Sequence, residues 1–478
     1  MITGLLQNSN VRQALTYGSA LGLTKGISFI MVPVFTRYLE PADYGRLDIL
    51  QTLADLLSIV IGMGLADTLF RFSGGAETPE EQKREAAEIF GFAVIVSILS
   101  TVVAQLAAPV ITKLLPGNIE LLQVRLILGS LSLSAMVLVP LAWMRMRDRA
   151  SLFCLTSGGR VVAQAGLAAI LLSVGFGVTG VLVAGFFTAC VMATILAIAQ
   201  FRATGIRFSL SALRRHGAYG GPLVFAGMAG FVLGSFDRIL LADAVGTAEM
   251  AEYALAAKFG LITGVLVQPF DMWWMPRRFG VLKASDGYDQ SARAVALGFT
   301  IALVAALCVA IGGPSVVRLL TPESYHGAAI YIPWLACLAA LHSATSMVNV
   351  GCYMQKTTAW PLIIDSSAAL VAFVGYLILI PLFGGMGAVQ ATTIALGMRF
   401  FATFLVSQHY VKLPHQIYRL GCLTVISIVI VAMSTTGTLD LLESALAATA
   451  ATGTLAAFAI WFQLIPGPFT GKLAEKST

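Results

Sequence analysis

The segments "PVFTRYL" (33–39) and "GSFDRIL" (234–240) close two long apolar runs, and their shared F-x-R-x-L pattern recurs 201 residues apart. The runs also open alike, with "TYGSAL" at 16–21 and "AYGGPL" at 218–223. A third landmark follows each run: "LFRF" (69–72) and "PRRF" (276–279), both expected to close the next helix on the cytoplasmic side. Three landmarks at nearly constant spacing define an internal repeat of six helices. Because six is even, both copies cross the membrane in the same sense, as parallel repeats related by an axis along the membrane normal.

Composition sets the solvent. The chain has 478 residues, 58% hydrophobic and only 11% charged, where a soluble domain carries about 25% charge. So few polar groups cannot cover a soluble surface, so lipid must solvate much of the chain. Apolar runs of about 20 residues, the length that spans the hydrocarbon, recur from end to end. The longest polar gap, 71–88, leaves no room for a sizeable soluble domain. The first run contains Lys25 and no small-residue cleavage site, so it is expected to be a span and not a removable signal.

The sequence thus predicts an all-α integral membrane protein of about fourteen helices. They fall near 13–36, 46–70, 89–112, 126–143, 150–174, 178–201, 219–241, 253–275, 294–317, 329–353, 359–380, 386–411, 420–436 and 444–466. The repeat divides them into an N-lobe (1–210, helices 1–6), a C-lobe (211–415, helices 7–12) and an added helix pair with a tail (416–478), with a substrate path expected between the lobes. With the N-terminus inside, twenty Lys and Arg fall in the inner segments and five in the outer ones. That asymmetry predicts cytoplasmic termini. The net charge of +6 is then a signal for orientation and gives no reason to invoke nucleic acid.

Five basic residues (Lys25, Arg160, Arg238, Lys258, Arg399) and six acids (Asp48, Asp55, Asp67, Asp237, Asp271, Asp365) fall within the expected helices. Each costs about 2.5–3.5 kcal/mol near the bilayer centre, so they should face a bundle interior or a wet cavity. Several lie on helices 1, 2, 7 and 8, the expected cavity wall. Asp48, Gln51, Asp55, Ser58 and Gly62 step by three and four, which predicts one polar face on helix 2. Gly18, Gly22 and Gly26 have the spacing for a close helix contact. Arg37 and Arg238 are read as ending their helices near the outer interface, where long side chains reach for water. Asp67, Arg71 and Asp271 lie near the cytoplasmic ends, where charge is cheap.

Other motifs exclude functions. "GFGVTG" (175–180) fits a dinucleotide fingerprint but lies between two spans with no strand before it. No phosphate-binding G-x-x-x-x-G-K-[ST] is present, the five histidines form no metal-ligand spacing, and the six cysteines form no C-x-x-C pair. No metal or cofactor is expected. "DMWWMPRR" (271–278) reads as an interfacial aromatic belt with a basic inside anchor.

The stretch "GISFIMVPVFTRYLEPADYGRLDIL" followed by "GMGLADTLFRF", with "FDRILLADAVGTAEMAEYALAAKFG" in the second half, resembles polysaccharide (O-antigen/Wzx-type) flippases. These belong to the superfamily that also holds multidrug extruders and the lipid II flippase. The resemblance implies a two-lobe, V-shaped fold and alternating access of a central cavity. It implies a non-enzymatic, multi-pass protein of the bacterial inner membrane. Its cargo would be a polyprenyl-diphosphate-linked oligosaccharide for O-antigen, capsule or exopolysaccharide, and its partners membrane lipids, a polymerase and glycosyltransferases. Lys25, Arg238 and Lys258 are the candidates for the diphosphate, because a cation in a low-dielectric cavity attracts it strongly. Tyr17, Asp48, Gln51, Asp55 and Asp237 are candidates for the sugar or a coupling ion. Arg37, Arg71, Arg160, Asp365 and Arg399 form a secondary set. Acids outnumber bases within the spans by one, which leaves open whether some acids sit at the rims or one binds a coupling proton or sodium ion. A multidrug extruder, a lipid II flippase and a membrane glycosyltransferase or polymerase are the rival readings.

Overall fold

The computed structural model describes residues 9–62, 64–354, 359–434 and 441–461. Every regular element among the described residues is helical, and nine helices there are long and apolar enough to cross a membrane. Among the described residues, helix lies within each of the fourteen expected runs, though several runs are broken or fused.

One compact unit comprises the residues up to Phe231 together with Gly246–Ala248. It holds α1 (Ser9–Tyr38), α2 (Pro41–Gly62), α3 (Leu65–Phe72), α4 (Pro79–Leu114), α5 (Leu121–Ser132), α6 (Ser134–Met146), α7 (Ala150–Ser173), α8 (Gly177–Thr204) and most of α9 (Leu210–Gly234). Local sequence sets these bounds. Thr78 caps α4, its hydroxyl accepting the Glu81 N–H at 3.2 Å, with Pro79 in the first turn and Glu80 and Glu81 beside the positive helix end. Gly64 caps the start of α3 at φ 60°, a conformation that glycine adopts without Cβ strain. Leu65, Leu69, Ile89, Phe90, Val139 and Trp143 then close a core among α3, α4 and α6. Outward from that core, Leu99, Val103, Leu106, Val110 and Leu114 line one face of α4 at 58–77% exposure. A continuous apolar stripe of this kind is covered by lipid.

The expected glycine contact of helix 1 is not made. Nothing lies within 4 Å of where a Cβ would stand at Gly22 or Gly26, and the side-chain environment of residue 18 lies outside the described residues. The close approach comes from the partner helix: α1 packs along α7, where a Cβ at Gly158 would meet Leu23 Cδ2 at 2.9 Å. The small residue that admits the contact is on α7, which frees the glycine face of α1.

The other unit comprises Val232–Val245 and the residues from Glu249 onward. It holds α10 (Asp237–Val245), nearly all of α11 (Thr247–Trp274), α12 (Arg278–Val281), α13 (Gly287–Leu320), α14 (Ala328–Val348), α15 (Ala359–Tyr410), α16 (Ile417–Ser434) and α17 (Leu441–Trp461). α13 is its hub, packing along α14, α16 and α17. Val267, Phe270 and Trp274 of α11 interlock there with Val295, Ala302 and Ala306, and Gly298 leaves room for the Phe270 ring.

α15 runs for 52 residues, about 78 Å at helical rise, far beyond a hydrocarbon core of roughly 30 Å. Gly384, at φ 56° and ψ −134°, breaks it into two antiparallel halves. Only glycine suits that backbone, and the Glu249 carboxylate passes 3.0 Å from where a Cβ would stand. Tyr376 and Thr392, eight residues on either side of the break, share a 2.9 Å hydrogen bond.

The second F-x-R-x-L landmark also differs from expectation. "FTRY" lies in the last turns of α1, whereas "FDRIL" starts a new helix, because α9 ends at Gly234 and α10 begins at Asp237. Arg238 is therefore at a helix start and not at a helix end. "LFRF" closes α3, but "PRRF" follows the end of α11 and leads into α12.

Candidate functional site

Lys25 stands on α1 with its side chain exposed and no ion pair among the described residues. Gly22, one turn before it, and Gly26, next to it, both have open space where a Cβ would stand. Arg37 is exposed in the last turn of α1, and the Tyr17 side chain lies outside the described residues. The polar face expected on α2 is divided in depth: Asp48 is only 1% exposed, Gln51 is half-buried and Asp55 is exposed. Ser58 turns its hydroxyl back to the Asp55 carbonyl at 2.8 Å. Arg160 is half-buried on α7.

A polar cluster at the start of α4 and α9 was not foreseen. Arg215 donates to both Glu85 carboxylate oxygens at 2.6 and 2.8 Å, and Glu88 lies 3.7 Å away. His216 stands 3.4 Å from Glu85 and 5.0 Å, ring to ring, from Phe72. Arg215 also stacks over Phe72, and Arg71 stacks over Tyr219 at 4.8 Å. Arg71, expected as an intramembrane charge, is thus part of an aromatic clasp joining α3, α4 and α9. Burial holds the His216 imidazole below the ordinary histidine value, against the upward pull of its Glu85 hydrogen bond. The only sequence signal was a Glu at the start of one helix and an Arg-His pair at the start of another, far apart in the chain.

In the second unit, Asp237 is 6% exposed. Its carboxylate accepts from the Tyr253 hydroxyl at 2.5 Å and from the Arg238 backbone N–H at 3.0 Å. It sits in the first turn of α10, where the helix dipole favours an anion. Tyr253 meets Tyr331 edge to face at 5.6 Å, and the Tyr331 hydroxyl donates to Glu249 at 3.3 Å. Arg238 and Lys258 are half-buried.

Deeper in the same unit, Arg399 Nε donates to Asp365 Oδ1 at 2.7 Å across the halves of α15. Its NH1 lies 3.2 Å from His342 Nδ1 on α14. The sequence supplied the two charges; the break at Gly384 supplies the pairing, and His342 was missed because nothing in its own helix marks it. Arg278 is also held, by Asn349 Oδ1 at 2.6 Å. Among the described residues no group of three or more His, Cys, Asp or Glu is placed to hold a metal, and the six cysteines are free thiols.

Similar solved structures carry this helical membrane fold. One is the lipid II flippase MurJ in an inward closed conformation (TM-score 0.71, 11% identity, covering 94% of this chain and 100% of that one). Others are an inward-facing MATE multidrug resistance transporter of the MOP superfamily (0.57, 15%, 83% and 94%) and a MOP superfamily transporter from Pyrococcus furiosus described as having a binding pocket of reversed polarity (0.54, 15%, 84% and 95%). At such identities the likeness is one of fold. The profile of the polysaccharide biosynthesis protein family matches residues 11–279, more than half of the chain, and the chain belongs to that family. No curated protein matches it.

Proposed function

We propose that the protein moves a polyprenyl-diphosphate-linked oligosaccharide from the cytoplasmic to the periplasmic leaflet of a bacterial inner membrane, by alternating access, for assembly of a surface polysaccharide. Both termini are cytoplasmic in this reading. Lys25 carries it: an exposed lysine within an apolar helix, beside two glycines whose Cβ positions are open, invites an anionic group. A diphosphate supplies that charge, and the open glycine face leaves room for a headgroup beside it. Arg238 and Lys258 are the second unit's candidates for the same anion, and the exposed Asp55 for the sugar. The reading assigns no catalytic step to any residue.

The test is mass spectrometry of lipid extracts from cells lacking the gene. Accumulation of a completed polyprenyl-diphosphate repeat unit, with loss of the surface polymer, is the expected result. Unchanged lipid-linked sugars in cells without a second flippase would refute the reading. Restoring the gene as Lys25→Ala should leave expression intact and the accumulated lipid in place.

A further inference from the structure

We infer that His342, Arg399 and Asp365 form a proton-binding site within the second unit, in which a proton taken up by His342 releases Arg399 and loosens the join between α14 and α15. The inference stands on hydrogen-bond chemistry. A guanidinium has five N–H donors and no acceptor. Arg399 NH1 at 3.2 Å from His342 Nδ1 therefore requires Nδ1 to be the acceptor, which makes the imidazole neutral with its proton on Nε2. A proton arriving at Nδ1 removes that acceptor and sets a second cation against the first. Two cations then compete for the one carboxylate of Asp365, which Arg399 alone engages at 2.7 Å in the neutral state. The step is a single proton uptake, with no other bond made or broken covalently.

The surroundings isolate this competition. Arg399 and Asp365, both from α15, are the charged groups that act on the His342 imidazole. Of the helices packed on α14, α13 carries charge only toward its ends, at Asp289, Arg293 and Arg318, and α11 carries Glu249, Glu252, Lys258 and Asp271. The 3-10 turn Val350–Tyr353 carries none. His342 lies at the surface of the unit, and the Asp365 side chain is 38% exposed against 18% for Arg399. His342 lies six residues from the end of α14 and Asp365 six from the start of α15, each about 9 Å along its helix.

The experiment is hydrogen exchange of the full-length protein in lipid nanodiscs between pH 8 and pH 4, corrected for intrinsic exchange and read on peptides from α14 and both halves of α15. Exchange there should rise as pH falls, about tenfold for each unit by which the open state's histidine pKa exceeds that of the closed state. His342→Gln keeps an acceptor oxygen for Arg399 but does not titrate, and it should abolish the rise while matching the wild type at pH 8. His342→Asn serves if the glutamine variant does not fold. 15N spectra of histidine-labelled protein provide a second reading, and at pH 8 His342 should carry its proton on Nε2. A pH response that survives in the non-titrating variant, a wild type with no response, or a proton on Nδ1 at pH 8 overturns the inference. No arm involves a lipid-linked sugar, so failure here is distinct from failure of the flippase reading.

Discussion

Replacing Gly22 and Gly26 by leucine separates the packing of α1 from its use. Both positions are helical with nothing within 4 Å of an added Cβ, so the first carbon of either side chain meets no steric obstacle. Leucine exceeds glycine in helix propensity by about 0.8 kcal/mol, so the double variant gains at most about 1.6 kcal/mol. At about 2–4 °C per kcal/mol for a unit of this size, the melting midpoint should rise by roughly 3–6 °C or stay level. Gly158→Leu is the contrast. Its Cβ alone would stand 2.9 Å from Leu23 Cδ2, and because Leu23 is 43% exposed and can turn aside in part, overpacking the α1–α7 seam should cost about 1 kcal/mol, the low end for such changes. The six free cysteines allow melting to be followed in detergent with a thiol-reactive dye, and export is read from surface polymer and accumulated lipid-linked sugar in the same strains. The stable glycine-face variants should block export, because their side chains crowd the space beside Lys25. A melting midpoint that falls as it does for Gly158→Leu would show the face to be packed. Full export by a stable variant would place the substrate elsewhere.

Three further outcomes are expected. Arg215→Met should destabilise far more than Glu85→Gln, since it strands a carboxylate whose side chain is 7% exposed whereas Arg215 is 47% exposed and can rehydrate. The first loss is about 3 kcal/mol and the second under about 1 kcal/mol; the double variant should recover most of the difference, and equal losses in thermal melts would refute the asymmetry. Gly384→Ala should cost about 1–3 kcal/mol from backbone strain at positive φ, measurable as a lowered melting midpoint, with no change there refuting the break as the reason for glycine. Burial pushes His415 down to about 4, so its neutral form is favoured in the fold. The stability this gives is complete above the ordinary histidine value of 6.5 and is lost as pH falls from there toward 4. His415→Asn should flatten that part of the stability–pH profile, and an unchanged slope would assign it to other groups.

The helices were legible because each needs about 20 apolar residues, a signal carried by every window of the chain. Interruptions were harder to see. Gly64 and Gly384 break helices by backbone angle, and neither stands out among 46 glycines. The landmark at 236–240 led to a helix end where the chain begins a helix, since side-chain types repeat there while the Asp237 carboxylate turns to Tyr253. Lys25 was found because a lone cation in an apolar run is conspicuous by itself. The pairings of Glu85 with Arg215 and of Arg399 with His342 were not, because they depend on tertiary contacts across 130 and 57 residues.

The hairpin made by the two halves of α15 bears on how the chain enters the bilayer. Between Asp365 and Arg399 the sequence carries no charged residue, the turn at Gly384 included. Nothing in this stretch needs a hydrophilic loop to be drawn across the hydrocarbon, so both spans can leave the insertion machinery together. The charges that flank the stretch are the pair that meets at 2.7 Å once it folds. An Asp and an Arg entering as partners travel as a neutral dipole, where either alone would meet the full insertion penalty. Charge-free length and a closing ion pair make this segment a self-contained cargo for the translocon.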